Sequence, residues 1–314
     1  MKPRLVLAGL GHGQLELLDR LDALQERYEV VFIGSMTTIY TGAFPQVLAG
    51  LMNSATVPLP NVSPVANRVL SIDPDAKRVM TEIGPVPYDK LVLSTGAQSR
   101  GTGLRLKPMT SELIELIQAS ERLSILGGGK AGVELAFVCV RSKAVTLYAP
   151  EILPELPTRS RKQIERQLVA SGVNVIKQKR VHVEDELVLD ATGIVPVEWW
   201  AESGLADSGA FIPTDAYLRQ IDYPEIFVTG DMAEVLNGGV DAVRSGKYVA
   251  AQLLGETHRP FRQRQSMNIL LTTPGKALLT FDSFTWHGRL PYVLKRFIDR
   301  NYIRRFKRSE SLIG

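Results

Sequence analysis

One cysteine, four histidines and no long apolar run set the first limits on this 314-residue chain. Cys139 has no second thiol to pair with, which excludes an internal disulfide and any dithiol–disulfide chemistry within one chain. Its place in the apolar stretch 135–140 predicts a packed helix residue. His12, His182, His258 and His287 are scattered, with no cysteine or carboxylate partners at ligand spacing, so no metal site is expected. No apolar run approaches the roughly 18 residues of a membrane-spanning helix, and Met1, Lys2, Pro3 and Arg4 lead straight into a strand; neither a signal peptide nor a spanning helix is expected. Acids are nearly missing from one segment. There, eight bases (Arg289, Lys295, Arg296, Arg300, Arg304, Arg305, Lys307 and Arg308) stand against the single acid Asp299, a local charge of +7 in a chain of net +4, which leaves −3 for the rest. The isoelectric point near 9.1 belongs to that segment and gives no ground for nucleic-acid binding.

What is present is the composition of an α/β protein: 45% hydrophobic residues, 22% charged residues and 26 glycines. The length suits two domains of about 150 residues. Residues 4–8 read as an apolar strand, 9–14 as a glycine turn, 15–25 as a helix carrying Leu17, Leu18, Leu21 and Leu24, and 29–33 as a second strand. That order is the βαβ unit of a doubly wound sheet. It returns from Leu123: a strand to Leu126, a glycine turn over 127–132, an apolar helix from Val133 and a strand over 144–148. The duplication predicts an α/β fold with two Rossmann-like domains, the second inserted in the first. The expected division is 1–106 with 215–262, an insertion over 107–214, and a C-terminal segment over 263–314. Between the copies, 68–87 alternates as β structure around a turn at Asp73, Pro74 and Asp75. Buried strands then run into Thr95-Gly96 and Thr192-Gly193, and a third into Gly230-Asp231 ahead of a helix over about 242–254.

The glycine turns carry the chemistry. In Gly9-Leu10-Gly11-His12-Gly13-Gln14, two glycines sit where a backbone must turn tightly and approach a pyrophosphate at a helix N-terminus. The third glycine position holds Gln14, with Gly13 beside it to relieve the crowding, and strand two ends Phe32-Ile33-Gly34-Ser35 without an acid for a ribose hydroxyl. Taken alone, this turn also suits a strand–helix corner with no ligand. The second turn, Gly127-Gly128-Gly129-Lys130-Ala131-Gly132, fills all three glycine positions. Beyond it, Tyr148-Ala149-Pro150-Glu151 offers no acid directly at the strand end and Arg159 and Arg161 follow, so NADH and NADPH both stay open.

The paired glycine turns, the strands ending in Thr-Gly and the segment Ile226-Phe227-Val228-Thr229-Gly230-Asp231 together resemble the pyridine nucleotide–disulfide oxidoreductase superfamily over nearly the whole chain. More narrowly, Gly11-His12-Gly13, 40–45, 239–246 and 294–300 resemble type II NADH dehydrogenase-like flavoproteins, especially the flavoprotein domain found fused to selenide, water dikinase. The resemblance implies FAD on the first unit and a nicotinamide dinucleotide on the inserted one. It implies that Gly9, Gly11 and Gly13 face the FAD pyrophosphate and that Asp231 bonds the ribityl or pyrophosphate region. Thr41 and Gly42 would lie near the isoalloxazine, and the helix carrying Val240 would point its positive end at the flavin's pyrimidine side. His12, Ser35, Thr95, Gly96 and Gly230 complete the expected FAD site. Gly127, Gly129 and Gly132 would hold the nicotinamide dinucleotide, with Glu134 as the catalytic residue where the two rings meet. The bland alternatives are that Asp231 merely caps the next helix and that Glu134 is a solvated helix residue.

The basic segment has its own reading. Leu294, Phe297, Ile298, Tyr302 and Phe306 recur at three- and four-residue steps, and Arg296, Arg300, Arg304, Lys307 and Arg308 take another face: a basic amphipathic helix. At about 1 kcal/mol per base near an anionic membrane, and about 1.5–3 per buried large side chain, reversible docking is affordable. The alternative covers for its apolar face are the protein itself or a second copy in a homodimer. The expected function is an FAD-dependent NAD(P)H dehydrogenase, with a membrane quinone as acceptor, working in the cytoplasm or peripherally on the inner face of the cytoplasmic membrane. Its rivals are a non-catalytic binding or scaffold module and a reductase of a soluble electron-carrier protein.

Overall fold

The computed structural model describes residues 1–59, 62–101, 104–178, 187–234, 238–282 and 284–307; His182, Glu186 and Arg308 lie outside them. The strand Arg4–Ala8 is apolar and has no accessible surface from Leu5 to Ala8, as a strand buried on both faces must be. It forms the middle of a parallel sheet ordered Ile226–Val228, Lys90–Leu93, Arg4–Ala8, Glu29–Ile33. A second parallel sheet is ordered Leu104–Arg105, Leu187–Asp190, Arg122–Leu126, Ala144–Tyr148, Asn174–Ile176. In both, the strand feeding a glycine turn has the next strand of its unit on one side and a later one on the other. The turn therefore opens at a topological switch point, where sheets of this kind leave a crevice for ligands. This is the expected α/β architecture of two doubly wound sheets. An antiparallel pairing of Gln98–Ser99 with Ile194–Val195 ties together the segments that leave the two Thr-Gly strand ends.

The expected helix over 15–25 is two helices, His12–Leu18 and Leu21–Arg27. The break falls at Asp19 and Arg20, whose side chains pair with Arg305 and Glu256. The first helix crosses the helix Gly239–Leu253 at backbone contact. A Cβ on Gly246 would overlap the Gly13 carbonyl oxygen, and one on Gly13 would overlap the Thr229 hydroxyl. Close packing thus falls to Gly13 and Gly246, and Gln14 is tolerated as a fully buried residue.

An antiparallel meander of Asn268–Leu271, Ala277–Phe281 and Phe284–Gly288 precedes the basic helix, Arg289–Lys307. The helix forms as expected, but its apolar residues do not share one face. Tyr302 stacks on Tyr40 with ring centres 4.2 Å apart, and Ile303 and Phe306 are buried, whereas Leu294 and Ile298 are exposed and Phe297 is 63% exposed. Buried Lys295 and Asp299 fix the rotation: their ionic partners lie inside, so the neighbouring apolar strip turns outward. Two bases of the segment outside the expected basic face turn inward, Lys295 by burial and Arg305 by pairing with Glu16 at 2.6 Å. Among the described residues no helix is long and apolar enough to cross a membrane, and Cys139 is buried in the helix Lys130–Cys139.

Gly246→Ala tests the helix crossing. Overpacking at a backbone contact should cost about 1–3 kcal/mol in urea denaturation, and bound flavin should fall with it; wild-type stability and flavin content in the variant would contradict the crossing.

Candidate functional site

A cavity of about 500 Å³ opens at the carboxyl ends of the first sheet. Gly11, His12, Ser35, Thr41, Thr95, Gly96, Gly230 and Asp231 all line it, drawn from four separate stretches of chain. Gly9 lies beneath the wall at φ +92°, where a Cβ would press the Ser94 backbone at 2.6 Å. Gly13 sits at the helix crossing, and Val240 is exposed in the first turn of the Gly239–Leu253 helix, whose Gly239 reaches the cavity. Gly42 lies beside Tyr40 and accepts a hydrogen bond from Lys295 Nζ at 3.1 Å.

Two helix N-termini face this space. The helix His12–Leu18 starts from Gly11 and the helix Gly239–Leu253 from Gly238, and neither has a side-chain cap. Uncapped first-turn N–H groups and two positive dipole ends favour an anion between them. Asp231 sits at the rim with both carboxylate oxygens engaged. Oδ1 accepts from the Gly238 N–H at 3.0 Å, which fastens the N-cap residue of the next helix, and Oδ2 pairs with Lys107. Asp231 thus lines the cavity and holds the residue from which the next helix starts.

His12 is neutral here. Its Nε2 accepts the Thr41 N–H at 3.2 Å, and its ring meets Tyr40 edge-on at 5.5 Å. Burial, with Lys107 adding to it, lowers its pKa to about 4.

At the second turn the three glycines divide the work. Gly127, at φ +113°, makes the tight turn against Ala191, 2.6 Å from where a Cβ would sit; Gly129 faces open space; Gly132 lies where a Cβ would overlap the Gly127 carbonyl oxygen. Turn, ligand approach and helix packing are the three needs of a dinucleotide fingerprint.

Glu134 does not line the cavity. It is 7% exposed, which rules out a solvated helix residue, and it accepts the Leu271 N–H at 2.7 Å and faces Lys295 at 3.4 Å. Lys295 also faces Asp299 at 3.6 Å, and Asp299 accepts from buried Gln46. Burial lifts the Glu134 carboxyl while Lys295 pulls it down; burial opposes the Lys295 charge, yet Glu134 and Asp299 outweigh it and hold the ammonium above its usual range. One lysine thus joins the basic helix, the loop at Gly42 and the helix after the second turn. Sequence reasoning missed Lys295 in this role, and also Lys107 and Ser94 on the cavity wall. No motif marks Lys107; its signal is a lone base ahead of Thr110, the residue that caps the helix Ser111–Ala119.

Two outcomes are expected. Lys295→Met leaves two buried carboxylates facing each other and should cost about 3–5 kcal/mol in urea denaturation; the double variant with Glu134→Gln should recover part of it, and a loss no smaller in the double would contradict the pairing. His12 refuses a proton that an unfolded histidine takes up at about pH 6.5. Stability should therefore fall as pH drops from about 6.5 towards 4. His12→Asn should flatten that slope when unfolding is compared at neutral and acid pH; equal slopes would place the titration elsewhere.

The comparisons agree with this geometry. Residues 5–252 match the family model described as pyridine nucleotide-disulphide oxidoreductase. The nitric oxide reductase FlRd-NAD(+) reductase of Enterobacter sp. (strain 638) is 30% identical over 243 residues, 66% of this chain and 63% of the relative. That of Salmonella schwarzengrund is 29% identical over 223 residues, 60% of this chain and 59% of the relative. The match thus spans about three fifths of these curated relatives. In fold, the chain is similar to NDH2 from Plasmodium falciparum in complex with NADH (TM-score 0.78, 11% identity, 98% of this chain and 97% of that one). It is similar also to the sulfide:quinone oxidoreductase of Aquifex aeolicus (TM-score 0.75, 17% identity, 98% of this chain and 92% of that one). With a family model matched from the first strand of one sheet to the last helix of the cavity, the chain belongs to the pyridine nucleotide-disulphide oxidoreductase family.

Proposed function

We propose that this oxidoreductase passes electrons from a reduced nicotinamide dinucleotide, through FAD, to a quinone held in a membrane. FAD and NAD(H) are the cofactors of the family, and the residues present fit them: a cavity between two uncapped helix N-termini for FAD, and a complete three-glycine turn with open space over Gly129 for the nicotinamide dinucleotide. FAD supplies hydride acceptance and onward electron delivery. The chain supplies alignment and water exclusion, which hydride transfer between stacked rings needs more than a protein acid. In this reading residues 107–214 form the nicotinamide-binding insertion, and Glu134, held by Lys295, sets the approach of that domain to the flavin loop at Gly42.

The observation that carries the acceptor is the outward strip. Leu290, Val293, Leu294, Phe297 and Ile298 on the basic helix, with Phe281, Phe284 and Trp286 on the adjoining meander, are all exposed. Arg289, Arg300 and Arg304 are exposed on the same helix. An apolar strip with bases beside it suits the interface of an anionic bilayer, and the helix's inner side touches Gly42 and Glu134 through Lys295. The cytoplasmic face of a membrane is the matching location. A soluble redox protein is the second reading, favoured by the relatives named as FlRd-NAD(+) reductases, with the exposed bases as its dock.

Liposome flotation decides between them. Wild type should float with anionic vesicles and reduce a long-chain quinone embedded in them, and Phe284→Asp with Phe297→Asp should abolish both while sparing reduction of a water-soluble quinone. Equal flotation by the variant, or turnover with an acidic carrier protein alone that is lost in high salt, would overturn the membrane reading. Dimers in solution that do not float would assign the strip to a second copy.

A further inference from the structure

We infer that Lys107 is a cofactor-holding residue, its ammonium answering the diphosphate of FAD while Asp231 keeps it stationed at the cavity wall. The inference rests on the cavity being the FAD site. Of the described side chains that line it, Lys107 carries the positive charge: His12 is neutral, bonded through Nε2 to the Thr41 N–H, and the lining carboxylates are Glu112 and Asp231. A diphosphate adds two negative charges to that wall. The two helix ends offset only about half a charge each. Without Lys107, the cofactor would meet a wall with excess negative charge.

The backbone places the lysine with care. Its own N–H donates to Ser99 Oγ at 2.7 Å, and Ser99 is buried in the short pairing with Ile194–Val195. Leu106 before it is buried, and the helix Ser111–Ala119, capped by Thr110, begins soon after. The stem is therefore anchored on both sides while the ammonium crosses to Asp231, a residue from far along the chain. Asp231 is itself held by the Gly238 N–H. A lysine is suited to this role because a compact ammonium on a flexible stem can turn from one anion to another by rotamer changes alone. The first unit also lacks an acid at the end of its second strand, where Ser35 stands, so FAD affinity leans on the phosphate contacts rather than on a ribose grip.

The test uses flavin-stripped protein titrated with FAD, followed by quenching of flavin fluorescence at low and high ionic strength. Lys107→Gln keeps a hydrogen-bond donor for Asp231 and removes the charge; Lys107→Arg keeps the charge. FAD affinity should fall about tenfold or more in the glutamine variant and stay within a few-fold in the arginine variant, and the gap between glutamine variant and wild type should shrink as salt screens the missing contact. Thermal unfolding of the flavin-free proteins confirms that each variant is folded. Wild-type FAD affinity in Lys107→Gln, or a loss that salt does not alter, overturns the inference, the latter because a lysine that merely props Asp231 gives a salt-independent defect. A wild type that binds no FAD at all would instead overturn the cofactor reading beneath it.

Discussion

The site depends on one close approach of backbone to backbone, at Gly13 and Gly246. A side chain at Gly246 would strike the Gly13 backbone and hold the helices His12–Leu18 and Gly239–Leu253 apart, and one at Gly13 would strike Thr229 beside the crossing. Because they touch, two uncapped N-termini from distant stretches open into one cavity, and the positive ends of two helices face the same space. The parallel sheet beneath supplies the common edge, since Arg4–Ala8, Lys90–Leu93 and Ile226–Val228 all deliver their carboxyl ends to it. Packing and the electrostatics of the cavity are thus consequences of the same missing Cβ atoms.

A second node joins that cavity to the surface. Lys295 sits among Glu134, Asp299 and the Gly42 carbonyl, so it ties together the basic helix, the loop at Gly42 and the helix after the second turn. A buried ion cluster is a poor source of net stability, but it is intolerant of losing one member and so fixes geometry. Here the geometry fixed is rotation of the basic helix: inward Tyr302, Ile303 and Phe306 pack on the core, and outward Leu294, Phe297 and Ile298 are left exposed.

Much of this was legible in the residues. Both βαβ units and the strand Ala144–Tyr148 at its full bounds followed from glycine spacing and apolar runs, because turns and buried strands have local signatures; that Gly11, Thr95 and Asp231 share one cavity was implied by the family resemblance and not by spacing. Gln14 looked like a defect in the first turn. Its neighbour Gly13 relieves the crowding, as expected, but the partner in that contact is Gly246, more than two hundred positions away, and no local pattern records such a pairing. The meander Asn268–Gly288 was not foreseen, its short strands lacking clean alternation, and the basic helix was given one apolar face because a helical period cannot tell which ion pairs will turn it. Lys107 was invisible for a related reason: a single base acquires meaning only through the carboxylate it faces.

The central claim is that the first glycine turn and Asp231 clasp one FAD that a nicotinamide dinucleotide reduces. A visible absorption spectrum of the purified protein, recorded before and after NADH is added without oxygen, tests it most directly. A flavin band that bleaches on addition is the result this account predicts; a colourless protein that takes up no added FAD would contradict it.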